Sequence, residues 1–195
     1  TTIVKINPLP DVNAGIDQTI CEGTTVTLSA STSGGSTPYS YNWNNGLGNG
    51  FSKTTTPSGT TDYIVSVNDA NGCTDSDTVR VNVITKPQTF TLTAPNDLTI
   101  CAGIDGIPLT LSGSQIGVLY ELIKNNNNIG QGKMGTGSAL TLGNYFGGTY
   151  QVKATTNTLP ACTVMMTGSV AVNELPPITA ELQSLDDTVC IGESM

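Results

Sequence analysis

Residues 17–23 read Asp-Gln-Thr-Ile-Cys-Glu-Gly, and two variants of this phrase follow, Asp-Leu-Thr-Ile-Cys-Ala-Gly at 97–103 and Asp-Asp-Thr-Val-Cys-Ile-Gly at 186–192. The cysteines of successive phrases lie 80 and 89 residues apart. Short solenoid repeats have periods of about 20–50 residues, so the longer spacing predicts a tandem array of whole domains. Such an array is more often a stalk, a filament or a binding surface than an enzyme.

A second recurring feature, an alternating apolar strand followed by proline, marks the end of each unit. Residues 79–84 (Val-Arg-Val-Asn-Val-Ile) precede Pro87, and residues 170–173 (Val-Ala-Val-Asn) precede Pro176. We therefore predict the last strand of a preceding repeat, two complete repeats, and the first strand of a following, truncated repeat. Their ranges are 1–7, 8–85, 86–175 and 176–195.

The segments within each unit alternate apolar and polar residues. Val26 and Leu28 share one face of a Thr-rich segment, and Tyr63, Val65 and Val67 share one face of another. This period of two indicates antiparallel strands with one buried and one solvated face. About seven short strands in each unit predict an all-β chain of immunoglobulin-like β-sandwich domains arranged end to end. The aromatic residues predicted for the cores are Tyr41, Trp43, Tyr63, Tyr120 and Tyr150.

The composition excludes several classes of partner and chemistry. The net charge is −8 and the pI about 4.1, which opposes binding to nucleic acid, since that requires clustered Lys and Arg. No segment approaches the ~20 apolar residues that span a bilayer. The chain contains no histidine, so Ser-His and Cys-His nucleophile systems are excluded, and no glycine-rich phosphate loop opens a helix. We therefore predict no enzymatic activity, no cofactor and no membrane insertion.

Acidic residues cluster around one hairpin. Asp69, Asp75 and Asp77 flank or begin the turn Asp-Ala-Asn-Gly-Cys-Thr at 69–74, and oxygen ligands suit Ca²⁺. The EF-hand spacing is absent, because Cys73 stands where the third oxygen ligand belongs. We interpret these carboxylates as residues of turns and strand ends, and we keep a calcium site at these three aspartates as the alternative.

Five cysteines in an acidic, His-free chain indicate an oxidising, extracellular setting. All five are disulfide candidates: Cys21, Cys73, Cys101, Cys162 and Cys190. One scheme pairs them within repeats, as Cys21–Cys73 and Cys101–Cys162, and leaves Cys190 over.

The other scheme pairs cysteines between repeats. In an immunoglobulin-like sandwich the turn before the second strand and the turn before the last strand lie at opposite ends. Those ends are roughly 20–25 Å apart for strands of this length, whereas disulfide Cα atoms lie within about 7 Å. End-to-end packing would join Cys21 to Cys162 and leave Cys73, Cys101 and Cys190 for other repeats. A count of free thiols separates the schemes, with one expected for pairing within repeats and three for pairing between them.

Two pieces of the first unit carry a resemblance to a known family. The entry Thr-Ile-Cys-Glu-Gly at 19–23 and the turn at 69–74 resemble the PKD-like, immunoglobulin-like repeats of Bacteroidota cell-surface proteins. The second unit shares the entry and the segment 148–152, but 156–162 replaces the compact turn. The resemblance implies PKD-like sandwiches in a gliding-motility adhesin, exported by the type IX secretion system and attached at the outer membrane. It also implies O-glycosylation at two Asp-Thr-Val triplets, on Thr78 and Thr188.

Three functions from different classes follow from these observations. The first is a non-catalytic segment of a long cell-surface adhesin filament, whose partners are neighbouring repeats, gliding or secretion machinery and surface polysaccharide. The second is an accessory binding or spacer module of a secreted polysaccharide-degrading enzyme. The second function requires an exposed aromatic platform, for which Phe51, Tyr145 and Phe146 are the residues outside the inward faces. A self-assembling surface-layer unit is a third possibility.

Overall fold

A computed structural model describes residues 6–101 and 105–177, and every regular element in these ranges is a β-strand. The first unit contains nine strands: β1 (Pro10–Asn13), β2 (Gln18–Cys21), β3 (Val26–Ser29), β4 (Ser31–Gly34), β5 (Ser40–Trp43), β6 (Gly48–Asn49), β7 (Ser52–Thr55), β8 (Thr61–Asn68) and β9 (Thr74–Ile84). The second unit contains nine more: β10 (Leu92–Thr93), β11 (Thr99–Cys101), β12 (Ile107–Leu111), β13 (Val118–Lys124), β14 (Asn127–Met134), β15 (Leu140–Tyr145), β16 (Gly148–Thr156), β17 (Thr163–Met165) and β18 (Val170–Leu175).

The larger sheets of the two units have the same strand order. In the first unit a five-stranded sheet has the order β2-β9-β8-β5-β6, and the pairs β1-β4 and β3-β7 form the opposing layer. In the second unit the order β11-β18-β16-β13-β14 matches the first sheet, with β17 added beside β16, and the opposing layer is one three-stranded sheet, β10-β12-β15. In each unit one short strand runs parallel to the last strand, as β2 does to β9 and β11 to β18. The chain is therefore an all-β protein with an immunoglobulin-like sandwich built twice.

Each unit has its own apolar core, formed by the inward residues of the alternating strands. One cluster comprises residues between Val12 and Val81, and the other comprises residues between Leu92 and Val172. The pattern is clearest on β8, where alternate residues are buried from Tyr63 to Val67. Burial of this kind contributes about 25 cal/mol per Å² of apolar surface, so each core supplies the main stabilisation of its own unit.

Four of the five aromatic residues expected in the cores are almost completely buried: Trp43, Tyr63, Tyr120 and Tyr150. Tyr41 differs, because it is half-buried and lies at the edge of the first core. Its ring meets Tyr39 edge-on, with 6.5 Å between the ring centroids. Tyr41 follows the inward register of β5, but near the start of that strand the core covers it only in part.

Two predicted terminal strands lie largely outside the described residues. Of the range 1–7, only residues 6 and 7 are described, and neither lies in a strand. Of the range 176–195, only residues 176 and 177 are described, again without regular structure. In the described part of the chain, no helix has the length and apolar character needed to cross a membrane.

Candidate functional site at the joint between the two units

A disulfide joins the two units. Cys21, the last residue of β2, is bonded to Cys162, which lies between β16 and β17. Their Cα atoms are 5.6 Å apart although the residues are separated by 141 positions in the sequence. This is the pairing expected for the scheme between repeats, and it corrects the alternative scheme that joined Cys21 to Cys73 and Cys101 to Cys162.

Backbone pairing fixes the position of Cys21. β2 runs parallel to β9, and Cys21 is the register partner of Ile84, the last residue of β9. The next residue continues this contact, because the Glu22 N–H donates to the carbonyl of Ile84 at 2.9 Å. Beyond Ile84 the chain enters the second unit, and the Lys86 N–H donates to the Glu22 carboxylate at 3.4 Å. Cys21 therefore lies beside the point where the chain leaves the first unit.

Two hydrogen bonds within one loop fix the position of Cys162. The Thr156 N–H donates to the carbonyl of Cys162 at 2.9 Å, and the Cys162 N–H donates to the Thr156 hydroxyl at 2.8 Å. The Cys162 side chain is fully buried, and its sulfur lies 3.9 Å from the carbonyl oxygen of Ile84. The loop that replaces the compact Asn-Gly turn of the first unit thus presents its cysteine to the end of β9.

The disulfide adds a second covalent connection at the joint, next to the peptide linker. In the chain-entropy description, a crosslink between residues 141 positions apart removes about 5 kcal/mol of unfolded-state entropy. Disulfides of this kind persist in oxidising compartments. The joint therefore belongs to an extracellular or surface protein.

The remaining cysteines have no sulfur partner among the described residues. Cys73 is half-buried and Cys101 is exposed, and both are free. Cys190 lies outside the described residues. Their pairing stays a prediction.

The aspartates of the hairpin are occupied by backbone hydrogen bonds. Asp69 is buried and accepts N–H groups from Ser36 at 2.9 Å, Asn71 at 2.9 Å and Cys73 at 2.8 Å. Burial alone would raise the pKa of Asp69, but the hydrogen bonds from Cys73, Ser36 and Asn71 outweigh it and hold that pKa below its ordinary value. Asp69 thereby fixes the turn that carries Cys73.

Asp75 and Asp77 hold an edge strand in place. They share the inward register of Val79 on β9, and they accept the N–H groups of Val12 and Ala14, each at 2.8 Å. No group of three or more His, Cys, Asp or Glu side chains in the described ranges is placed to hold a metal ion. The sequence already contained the signal for this role, because Asp at alternate positions before Val79 places carboxylates on the inward face.

Thr78 is exposed on β9, and Thr188 lies outside the described residues. Glycosylation of either residue stays a prediction.

One groove in the first unit is not predicted by the sequence. It has a volume of about 650 Å³ and is lined by residues of β5, β6 and β8, by Gly50 and Thr74, and by the rings of Tyr39, Tyr41 and Phe51. The side chain of Phe51 is 64 % exposed. All eleven lining residues are uncharged, so the groove suits a neutral ligand with apolar and hydrogen-bonding surfaces.

The comparisons with known proteins agree with this fold. Residues 8–87 match the family model described as Ig-like domain CHU_C associated, and no curated protein matches the chain.

Among solved structures, the chain is similar to the N-terminal eight Ig domains of Down Syndrome Cell Adhesion Molecule (DSCAM) isoform 1.30.30, with a TM-score of 0.61 and 14 % identity. That match covers 87 % of this chain and 24 % of the other, so the chain spans about a quarter of its length. It is also similar to murine CEACAM1b, with a TM-score of 0.40, 15 % identity, and coverage of 85 % of this chain and 100 % of that one. The fibronectin(III)-like modules of Clostridium thermocellum CbhA match with a TM-score of 0.36, 16 % identity, and coverage of 85 % and 95 %. The sheet order and the match with a TM-score of 0.61 show that the chain has an immunoglobulin-like fold, and its first unit matches the CHU_C-associated Ig-like domain.

Proposed function

We propose that this chain is a non-catalytic segment of a long, repetitive adhesin filament on the cell surface, which serves gliding motility and surface attachment. It resembles the gliding-motility adhesin SprB in this respect. The observation that carries the proposal is the Cys21–Cys162 disulfide, which binds one immunoglobulin-like unit to the next. In a filament that transmits force along its length, a disulfide at the joint keeps neighbouring units connected by a second covalent link.

The sizes of the units support this role. Each unit has fewer than one hundred residues and a core of its own, and small cores give limited stability. A disulfide between units stabilises both by restricting the unfolded chain. The match of residues 8–87 to an Ig-like domain family also supports a surface module. Export by the type IX secretion system and attachment at the outer membrane are parts of the same proposal.

Live imaging of the source cells tests the proposed function. A fluorescent antibody raised against this chain should label the cell surface, the label should travel along the cells, and antibody-coated beads should be propelled. Cells that lack type IX secretion should lose the label, and pre-immune antibody is the control. A label that stays fixed, or that is found only in the medium with secreted hydrolases, would contradict the proposal.

A second function is favoured by the groove in the first unit. Sugar rings stack on aromatic side chains, and Phe51 presents an exposed ring beside the half-buried rings of Tyr39 and Tyr41. The groove supports an accessory module that binds neutral polysaccharide for a secreted degrading enzyme. Co-sedimentation with insoluble neutral polysaccharides tests this function. Phe51→Ala should abolish binding, whereas Phe146→Ala, an exposed phenylalanine outside the groove, should preserve it; equal binding by both variants would exclude the groove.

A further inference from the structure

We infer that Cys73 and Cys101 are the outer halves of two further disulfides of the same kind as Cys21–Cys162. In this inference Cys101 bonds the turn cysteine of a following unit, and Cys73 bonds the strand-end cysteine of a preceding unit. The partner in each case is an immunoglobulin-like unit of the same type. The inference deepens the filament function proposed above and rests on it, because it extends one observed crosslink to every joint of the array.

The strand-end cysteines are structurally equivalent. Cys21 ends β2, which runs parallel to β9 and pairs Cys21 with the last residue of that strand, Ile84. Cys101 ends β11, which runs parallel to β18 and pairs Cys101 with the last residue of that strand, Leu175. Cys101 therefore has the same relation to the exit of the second unit as Cys21 has to the exit of the first.

The turn cysteines are equivalent in their hydrogen bonds as well as their position. Asp69 follows β8 and donates its N–H to the carbonyl of Cys73 at 2.9 Å, as Thr156 does to the carbonyl of Cys162 at 2.9 Å. In return, the Cys73 N–H donates to the Asp69 carboxylate at 2.8 Å, and the Cys162 N–H donates to the Thr156 hydroxyl at 2.8 Å. Two turns of different length and sequence thus hold a cysteine by the same pair of contacts.

The exposure of the two free cysteines and the sequence separation between cysteines both support these partners. The bonded Cys162 is fully buried, whereas the free Cys73 is half-buried and the free Cys101 is exposed. Neither free cysteine is as buried as the bonded Cys162. The sequence separation between Cys73 and Cys101 is identical to the separation between Cys162 and Cys190.

The constant spacing is informative because the spacing within units varies. The separation between Cys101 and Cys162 is longer than the separation between Cys21 and Cys73. The extra residues lie within the second unit, and the segment that crosses a joint keeps its length. A constant length across joints is expected if cysteines on successive units must reach partners at equivalent places.

The bond forms by thiol–disulfide exchange. One thiolate attacks a small disulfide such as oxidised glutathione, which forms a mixed disulfide and releases one glutathione thiolate. The second cysteine thiolate attacks the protein sulfur of that mixed disulfide, and a second glutathione leaves. Each new protein disulfide therefore reduces one oxidised glutathione to two thiols.

A thiol count on the full chain is the first test. Alkylation of the oxidised, denatured chain followed by peptide mass spectrometry should modify three residues, Cys73, Cys101 and Cys190, and leave the Cys21–Cys162 pair intact. A disulfide between any two of the three within one chain would overturn the inference.

A fusion that repeats residues 8–85 after residue 177 is the second test, because it creates a tethered joint between Cys101 and a second copy of Cys73. In a glutathione redox buffer, peptide mapping should find these two residues bonded, with only the first Cys73 and the second Cys21 alkylated. In the matched Cys101→Ser fusion, the second Cys73 should become alkylated while Cys21–Cys162 still forms. A free or glutathione-bound Cys101 in the unsubstituted fusion would overturn the inference, and so would loss of Cys21–Cys162 there, since that joint is its premise.

These measurements use no cells and no attachment assay. A fixed label on cells would contradict the motility proposal but would not affect the disulfide inference. A free Cys101 in the fusion would contradict the disulfide inference but would not affect the motility proposal.

Discussion

Reduction of the Cys21–Cys162 disulfide should change how far the chain extends under force. A force applied at the two chain ends passes through residues 1–21, crosses the disulfide, and continues from residue 162 onward. When this is the one disulfide closed, the residues between the two cysteines lie in a closed loop and add nothing to the extension of the chain. The chain can therefore reach only part of its full extended length while the bond is intact.

The size of this effect follows from the loop. The bond spans 141 positions in the sequence, and a fully extended chain spans at most about 3.3–3.6 Å per residue. Removal of the bond should therefore add about 46–50 nm to the fully extended length, after subtraction of the 5.6 Å between the two Cα atoms.

Single-molecule force spectroscopy with handles at the two termini measures this length. The oxidised chain should reach its limit short of the reduced chain by about that amount, and Cys162→Ser should behave like the reduced chain under oxidising conditions. Cys101→Ser is the matched control, because it removes a free cysteine and should leave the oxidised length unchanged. Equal extended lengths for the oxidised and reduced chains would refute the reasoning, since they would show that the loop is not closed.

Three further predictions concern single residues and their stability effects. Leu28→Ala removes a fully buried side chain and should destabilise the first unit by about 2–5 kcal/mol. The control Ile16→Ala changes an exposed side chain and should leave the midpoint of urea unfolding unchanged. Similar midpoints for the two variants would contradict the core assignment. Asp69→Asn should lower stability at pH 7, and the difference from the unsubstituted chain should shrink below about pH 4. The pKa of the Asp69 carboxylate is lowered in the folded state, so the carboxylate stabilises the fold at pH values above its unfolded-state pKa. This stabilisation is lost as the pH falls through the folded-state pKa. A stability difference between the two proteins that persists unchanged at low pH would exclude this carboxylate as its source. Gly135→Ala places a methyl group against a backbone oxygen and a tyrosine ring and should destabilise the second unit by about 1–3 kcal/mol, while Gly59→Ala, which meets nothing within 4 Å, should be neutral in the same thermal melt.

The sequence predicts the strands well because their signal is local. On β8 the alternation of apolar residues alone places Tyr63, Val65 and Val67 inward, and the structure buries all three. The same rule places Tyr41 inward, but it does not reveal whether the opposing layer covers the ring. Whether the ring is covered depends on where the strands of the two sheets end, and this is determined by the packing of the sheets against each other.

The disulfide pairing shows a second limit. Both schemes were consistent with the cysteine positions in the sequence, because the choice depends on which turns meet when two units pack. The length of the strands favours opposite ends of the first unit for Cys21 and Cys73, but it does not reveal the contact of Cys162 with the end of β9. That contact depends on the loop between β16 and β17, whose sequence does not resemble the compact turn of the first unit.

In an array in which every joint carries a disulfide, the disulfides determine which residues of each unit carry force. Force that enters at a turn cysteine such as Cys73 follows the chain as far as Cys101 and then crosses to the next unit. This segment consists largely of extended chain, because it contains β9 and the short strands β10 and β11. The residues from the strand-end cysteine to the turn cysteine of each unit lie outside that route, so their number is free to differ between units. The two units show this difference, since β6 has two residues where β14 has eight, while the segment that carries the force keeps its length.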